Sequence, residues 1–426
     1  MFRSRVFLSL ALLASLGAST VQASERIRLV HFNIRELDSA KLLRGQAHPQ
    51  IRAVKEVMSR YPFDIFSVNE LHYDLPGVPA RAYQSRGENL YRLLELVDGF
   101  GAYSYFTSFD PANTGRNALR KPDGDYEVNP NAPGAYLLAD PVNFGSFPAE
   151  YSTGAATRFP ILAKKVFSRV LWKAFRPDRD LSQFRDGFNQ PLNTATVELF
   201  DKNFTDLTLN VGGKAVHLIL FHAVPAFNFG NPFSMNDARN HDQLAFLEWY
   251  LTGATSFPVP AGLLEPVVPG VPLSGTEIFP LPPGSTFIAV GDWNADVTDA
   301  TKPSAEILKR LYEHFNPWMR DLGVQTFQGS SFDPATYQAQ LDYAFVSRDI
   351  RVLGGGVHAP APNARDLGCD LAAPPVVQGP EREARSYVMR TVDTLPQTCW
   401  IEVDRDFAVA KDASDHRLLW AEFQLN

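Results

Sequence analysis

The chain has 426 residues, 45% hydrophobic and 20% charged, with a formal net charge of −7. That balance excludes intrinsic disorder and collagen-like sequence, and with a pI near 5.8 it excludes a strongly basic nucleic-acid coat. Beyond the N-terminal stretch no apolar run approaches the ~20 residues a membrane-spanning helix needs, so no integral membrane segment is expected after processing.

Chain order begins with an export signal. Arg3 and Arg5 precede an apolar stretch at 6–16, and Val21-Gln22-Ala23 supplies the small-x-small pattern that signal peptidase reads. Cleavage is expected after Ala23, leaving an exported protein, periplasmic or secreted. The first mature element is a strand, residues 26–34, which alternates in polarity and reaches Asn33. Apolar residues at three- and four-residue spacing predict a helix over 50–60. The buried-strand pattern at 63–68 runs into Asn69 and Glu70, and a second helix is expected over 88–97. Residues 110–150, rich in Pro, Gly, Asn and Asp, read as a surface insertion.

A strand at 216–221 leads into His222, and a helix follows over 240–251. Dense in proline, 257–284 reads as an extended excursion. The strand at 287–290 runs into Gly291, Asp292, Trp293 and Asn294, a helix covers 304–315, and the strand at 341–346 carries Asp342. The excursion at 363–399 ends on the second of the two cysteines, Cys369 and Cys399, for which one disulfide is expected, with two buried thiols as the alternative. Asp415 and His416 precede a last strand at 418–423. Chemistry-bearing residues flank all three excursions, so one catalytic domain over 24–426 with insertions is expected. Strand and helix alternation alone would suggest a parallel sheet.

The strand ends share one chemical palette. Glu70, Asp292 and Asp415 are hard oxygen donors, and Asn33 and Asn294 are neutral ones, a mixture suited to Mg²⁺, with Mn²⁺ or Ca²⁺ as alternatives. His222 and His416 add groups able to move a proton or to face a phosphate. Each residue alone has an ordinary explanation, as turn former or satisfied interior histidine. No packing rule explains why all the strand endings carry the same set.

In order along the chain, Phe32-Asn33, Asn69-Glu70, Gly291-Asp292-Trp293-Asn294, Leu341-Asp342-Tyr343 and Ser414-Asp415-His416 resemble the motifs of the endonuclease/exonuclease/phosphatase superfamily. Arg158-Phe159-Pro160-Ile161 is similar to its mid-chain signature. The resemblance implies an α+β fold, a four-layer α/β/β/α sandwich of two mostly antiparallel sheets. It implies Glu70 as principal metal ligand with Asn33 and Asp415, Asp292 orienting or deprotonating the attacking water, and Asn294 contacting a phosphate oxygen. His416 would face the phosphate, hydrogen-bonded to Asp342, and His222 would stabilise an oxyanion or protonate the leaving oxygen.

Asn113-Thr114-Gly115 and the Arg239-Asn240 pair resemble pieces of an exported branch with long insertions. Arg239 and Asn240 are candidates to reach a substrate phosphate or to brace His222, with a solvated arginine and a helix-capping asparagine as the plain alternative. Arg35 and Glu36 are placed near the site by position only. The implied activity is a metal-dependent phosphodiesterase or phosphatase acting on a phosphoester substrate, with no protein partner indicated. An extracellular nuclease, a sphingomyelinase-type lipid phosphodiesterase using Phe144, Phe147 and Tyr151 as a membrane-inserting loop, and an inactive binding module are the other readings. Forty basic residues against 47 acidic ones lower the nuclease reading, since phosphate neutralisation dominates nucleic-acid affinity.

Overall fold

The computed structural model describes residues 25–98, 105–259, 262–266, 277–371, 373–377, 379–389 and 395–425. The expected signal peptide at 1–23 lies outside the described residues, as does part of the excursion at 257–284.

In chain order the strands are β1 (Glu25–Leu37), β2 (Ile65–Leu71), β3 (Phe106–Asp110), β4 (Ser152–Thr157), β5 (Ile161–Phe167), β6 (Phe204–Val211), β7 (Lys214–Phe221), β8 (Leu263–Leu264), β9 (Glu277–Ile278), β10 (Phe287–Asp292), β11 (Asn316–Pro317), β12 (Asp342–Val346), β13 (Ile350–Val357), β14 (Arg365–Cys369), β15 (Arg382–Met389), β16 (Gln397–Asp404) and β17 (Leu419–Leu425). The helices are α1 (Ser39–Arg44), α2 (Pro49–Met58), α3 (Asn89–Asp98), α4 (Trp172–Phe175), α5 (Asn236–Thr252), α6 (Pro303–His314) and α7 (Arg405–Ala413).

Two six-stranded sheets form the sandwich, in orders β13-β17-β1-β2-β4-β3 and β11-β12-β10-β7-β6-β5. Each is antiparallel except at one central pair, β1 with β2 and β7 with β10. The two sheets therefore repeat one pairing plan. The C-terminal ends of both parallel pairs lie where the chemistry-bearing residues sit.

Alternation sorts the side chains into layers. On β1, Ile27 and Leu29 pack toward the second sheet, while Val30, Phe32 and Ile34 pack under α2, α3 and α7. On β10, Ile288 and Val290 fill the space between the sheets, while Phe287 and Ala289 pack under α5 and α6. This gives the α+β four-layer sandwich that the resemblance implied. The outer layer over the second sheet is aromatic: Phe204 lies 5.1 Å from Phe246 and 5.1 Å from Tyr250 between ring centroids. Edge-to-face pairs of this kind add roughly 0.5–1.5 kcal/mol each beyond their burial.

The chain crosses from the first sheet to the second at Arg158-Phe159-Pro160, between β4 and β5. Arg158 is tied there to the Asp64 carboxylate at 2.8 Å, so that signature pins a crossover. The first insertion leaves β3 and returns at β4. Within it, Asn113 donates to the carbonyl of Phe200 at 2.9 Å, and a Cβ on Gly115 would lie 1.9 Å from the Phe147 carbonyl. Asn113-Thr114-Gly115 therefore knits the insertion to the body. The last excursion forms its own three-stranded sheet, β14-β16-β15, which runs on to Asp404. Cys369 and Cys399 face each other across it in a disulfide. A fourth excursion, between β5 and β6, was not foreseen; its Trp172, Phe175 and Leu181 are buried in the aromatic layer.

Candidate active site

The same alternation that sorts the core delivers the site. On β1 the face carrying Ile27 and Leu29 continues to His31 and Asn33, and on β10 the face of Ile288 and Val290 continues to Asp292. Asp342 on β12 and His222, just past β7, lie on that inner face as well. The inner layer thus turns from apolar to polar at one edge of the sandwich.

Hydrogen bonds between strand residues join the sheets there. Asn33 donates from Nδ2 to Asp292 Oδ2 at 2.9 Å, the Asp292 backbone N–H donates to Asn69 Oδ1 at 2.9 Å, and His31 Nε2 meets Asp342 Oδ1 at 3.1 Å. Asn33 Nδ2 also reaches Glu70 Oε1 at 3.1 Å. By alternation Glu70 would share the helix-covered face of Phe66 and Val68. A register shift between Asn69 and Leu71, with Glu70 at φ 60°, re-aims it. Its second oxygen accepts the Glu36 backbone N–H at 3.1 Å, so Glu36 acts here through its main chain.

Gly291 is needed for close approach: a Cβ would lie 1.7 Å from the Phe221 carbonyl. Asp292 also accepts from Asn294, at 2.9 Å from the backbone N–H and 3.1 Å from Nδ2. Around it stand two histidines, with His222 Nε2 at 3.5 Å and His416 Nε2 at 3.7 Å from Oδ2. His416 is held from behind, its Nδ1 donating to Asp342 Oδ2 at 2.8 Å. Ser414 fixes that turn, donating to the Asn33 carbonyl at 2.7 Å and accepting the His416 N–H at 3.1 Å.

These surroundings set the charges. Burial, reinforced by the charges of Asp342 and Glu70, pushes the Asp292 carboxyl up to about 7. Burial, then the Asp415 charge, raises Glu70. Burial opposes the His416 imidazolium, but Asp342 and Asp292 outweigh it and hold its pKa well above the ordinary range. Asp342 is kept low against its own burial by the His416 charge and by hydrogen bonds from His31 and His416. His222 is driven well below its ordinary value by burial and by the Lys202 charge, so it stands neutral.

Donor atoms of Glu70, Asp292 and His416 lie within 4.8 Å of one another. Asn33 Oδ1, beside them, is buried without a partner. An all-oxygen set of two carboxylates and one amide fits a hard divalent cation. His416 fits the ligand role less well, because Asp342 stabilises its protonated form. Asp415 acts on Glu70 through its charge, yet its carboxylate is outside the converging trio.

Arg239 is placed differently from both readings of the sequence, while Asn240 takes a bracing place rather than that of a helix cap. Arg239 is 1% exposed and spends its guanidinium on the carbonyls of Leu199, Val142 and Glu198 and on Asn143 Oδ1. It is therefore neither solvated nor directed at a substrate. Asn240 lies inside α5, whose N-cap is Met235, and donates to the carbonyls of Val224 and Trp293 at 2.6 and 3.0 Å. It braces the segments that follow His222 and Asp292. The proposed membrane-inserting loop also comes apart: Phe144 is 61% exposed, but Phe147 is buried against His72.

A model of the Endonuclease/Exonuclease/phosphatase family matches residues 30–416, which takes in every residue of this edge. The chain belongs to that family. Its members are phosphoester hydrolases that typically use a divalent metal. No curated protein matches the sequence. Among solved structures, an endonuclease/exonuclease/phosphatase from Beutenbergia cavernae is similar at 13% identity, covering 94% of this chain and 72% of its own, with a TM-score of 0.47. A family protein from Bacteroides vulgatus is similar at 12% identity, over 94% of this chain and 100% of its own, TM-score 0.46. The mannosyl-6-phosphatase of Bacteroides thetaiotaomicron is similar at 12% identity, over 93% and 99%, TM-score 0.41.

Sequence reasoning did not single out His31, Asn69 as a bridge, or Lys202. Lys202 is buried, paired with Asp201 at 2.7 Å and 3.4 Å from the Ala223 carbonyl. A lysine beside an aspartate near a strand start gives no signal on its own. Its role exists only because β6 and β7 are neighbours.

Proposed function

We propose that the protein is an exported, Mg²⁺-dependent phosphodiesterase or phosphatase that cleaves a P–O ester by in-line attack of water, with no covalent enzyme intermediate. One observation carries this: donor atoms of Glu70, Asp292 and His416 converge beside the unpartnered Asn33 Oδ1, and His416 Nδ1 is bonded to the Asp342 carboxylate at 2.8 Å. Hydrolysis of a phosphoester needs a seat for a hard cation, a base for water and a fixed positive donor for the phosphate.

A divalent cation, when bound, neutralises charge on the phosphate oxygens, and Glu70 with Asn33 Oδ1 are the residues that would hold it. Asp292 accepts the proton of the attacking water, for which a proton affinity near neutrality is suited. Asn294 holds Asp292 in place through two donors. His416, its Nε2 3.7 Å from Asp292 Oδ2, would present Nε2–H to the phosphate. His222, kept neutral, is suited to donate a hydrogen bond to the developing oxyanion, the first of its two expected roles.

Export is supported by the basic and apolar N-terminal pattern and by the Cys369–Cys399 disulfide, which suits an oxidising compartment. No helix among the described residues is long and apolar enough to cross a membrane. The reading is tested with bis-p-nitrophenyl phosphate, p-nitrophenyl phosphate, single-stranded and plasmid DNA and sphingomyelin, each assayed with Mg²⁺ and with EDTA. Metal-dependent turnover of the small esters is expected. Absence of turnover on every substrate would favour a binding module.

A further inference from the structure

Ala226 donates its backbone N–H to the carbonyl of Asn294 at 3.0 Å, and the loop that begins there carries three exposed phenylalanines. Phe227, Phe229 and Phe233 are 58%, 70% and 53% exposed. The Phe227 and Phe229 rings meet edge to face with centroids 4.9 Å apart. Phe229 sits at φ 48°, a left-handed conformation that a bulky side chain adopts only with strain.

The loop is tied down. Asn236 Nδ2 donates to the Phe227 carbonyl at 3.0 Å, and the Arg185 N–H donates to the Phe233 carbonyl at 2.9 Å. The rings are thus presented by a fixed segment that starts five residues after His222. Clustered, water-exposed rings on strained backbone add nothing to the core, and such patches mark contact surfaces.

Charge selects the ligand. From Ala223 to Asn236 the sequence has no ionisable side chain. A polyanionic nucleic acid or an anionic bilayer would call for a run of Lys or Arg on this rim, where Arg185 alone among the basic residues described is bonded to the loop. An aromatic loop whose own residues carry no charge, bonded at Ala226 to the Asn294 carbonyl, matches instead a small phosphoester bearing an apolar group. Resting on the phosphoesterase reading above, we infer that Phe227 and Phe229 form a specificity subsite for an apolar, preferably aryl, group esterified to phosphorus on the His222 side.

The test is calorimetric titration of the full mature chain, with Mg²⁺, against phenylphosphonate and methylphosphonate, which share one charged head. Phenylphosphonate is expected to bind about tenfold tighter. The Phe227→Ala/Phe229→Ala double variant, checked for a wild-type melting curve, should lose that preference and bind the two alike. Equal binding of both ligands by wild type, or a preference that survives in the double variant, overturns the subsite while leaving the phosphoesterase reading standing. If neither phosphonate binds and no phosphoester turns over, both readings fall. Loop-dependent binding to phosphatidylcholine vesicles or to single-stranded oligonucleotide, without a phenyl preference, also overturns it and reassigns the rim.

Discussion

His416 and Asp342 meet across the gap between the two sheets, Nδ1 to Oδ2 at 2.8 Å. One residue precedes β17, which lies between β13 and β1 in the first sheet; the other opens β12 of the second. Their bond links sandwich geometry to charge, because it fixes the ring and keeps it an imidazolium. Replacing Asp342 by Asn keeps the shape and removes the charge. The expected result is a kcat lowered by roughly 10²–10⁴, the usual weight of one acid–base group. The sign of the pH effect is fixed as well: with Asp342 gone the His416 pKa falls, so activity is lost at lower pH on the alkaline side. A pH–rate profile with an unshifted alkaline limb would remove the pair from the mechanism.

Much of this edge was legible in the sequence because strand alternation and motif order are local. Asn33, Glu70, Asp292, Asp342 and His416 each end or begin an apolar run, and the structure brings them together. What stayed hidden is non-local. His31 looked like one more alternating residue, and its partner Asp342 is 311 positions away. The bulge that turns Glu70 inward has no signature in Asn69-Glu70-Leu71. The excursion between β5 and β6 was missed because Trp172 and Phe175 make it apolar, unlike a surface insertion. Nine-residue α7 was missed too, being short and carrying a buried lysine, Lys411.

Glu70→Gln tests the cation seat by binding as well as by rate. A ligand that binds only the folded state raises the melting temperature with its concentration. Wild type is expected to melt several degrees higher in millimolar Mg²⁺ than in EDTA, and the variant to show no such rise. Turnover should fall by orders of magnitude. An identical Mg²⁺ titration in both proteins would contradict the assignment.

Lys202 is a positioning residue. Its ammonium and the Asn294 amide share the Ala223 carbonyl, at 3.4 and 3.0 Å, and Gln243 links Asp201 to the Val224 N–H. Lys202→Met leaves the buried Asp201 without its ammonium partner, held by Gln243 alone among its side-chain hydrogen bonds, which costs about 3 kcal/mol of stability. Pairing it with Asp201→Leu should restore much of the melting temperature. The kcat of the double variant should stay reduced by tenfold or more, because the segment after His222 has lost its clamp. Full recovery of kcat together with stability would show the pair to be structural only.

The disulfide closes a loop of 30 residues around the small sheet β14-β16-β15. Constraining the unfolded chain over that length is worth about 3–4 kcal/mol in the chain-entropy description. Cys369→Ser is therefore expected to lower the melting temperature under oxidising conditions and to leave kcat nearly unchanged, since neither cysteine adjoins the catalytic edge. Identical melting of the two proteins would mean that the bond does not form in solution.

Glu150 supplies a pH dependence separate from turnover. Burial is the main cause that lifts its carboxyl to about 8, with the charges of Glu36 and Glu70 adding to it, while the Ser146 N–H donates to Oε2 at 2.5 Å. The folded state thus holds a proton that the unfolded state releases near pH 4.5. Between those values the native state binds more protons, so this contribution is full below pH 4.5 and is lost as pH rises through 8. Glu150→Gln mimics the protonated form at every pH. Measured in EDTA to keep metal binding out, the variant should melt at a higher temperature than wild type at pH 8.5, by the equivalent of roughly 2–4 kcal/mol. The gap should close toward pH 5. A gap that is constant with pH, or that widens toward acid, would show that Glu150 is ionised in the folded protein.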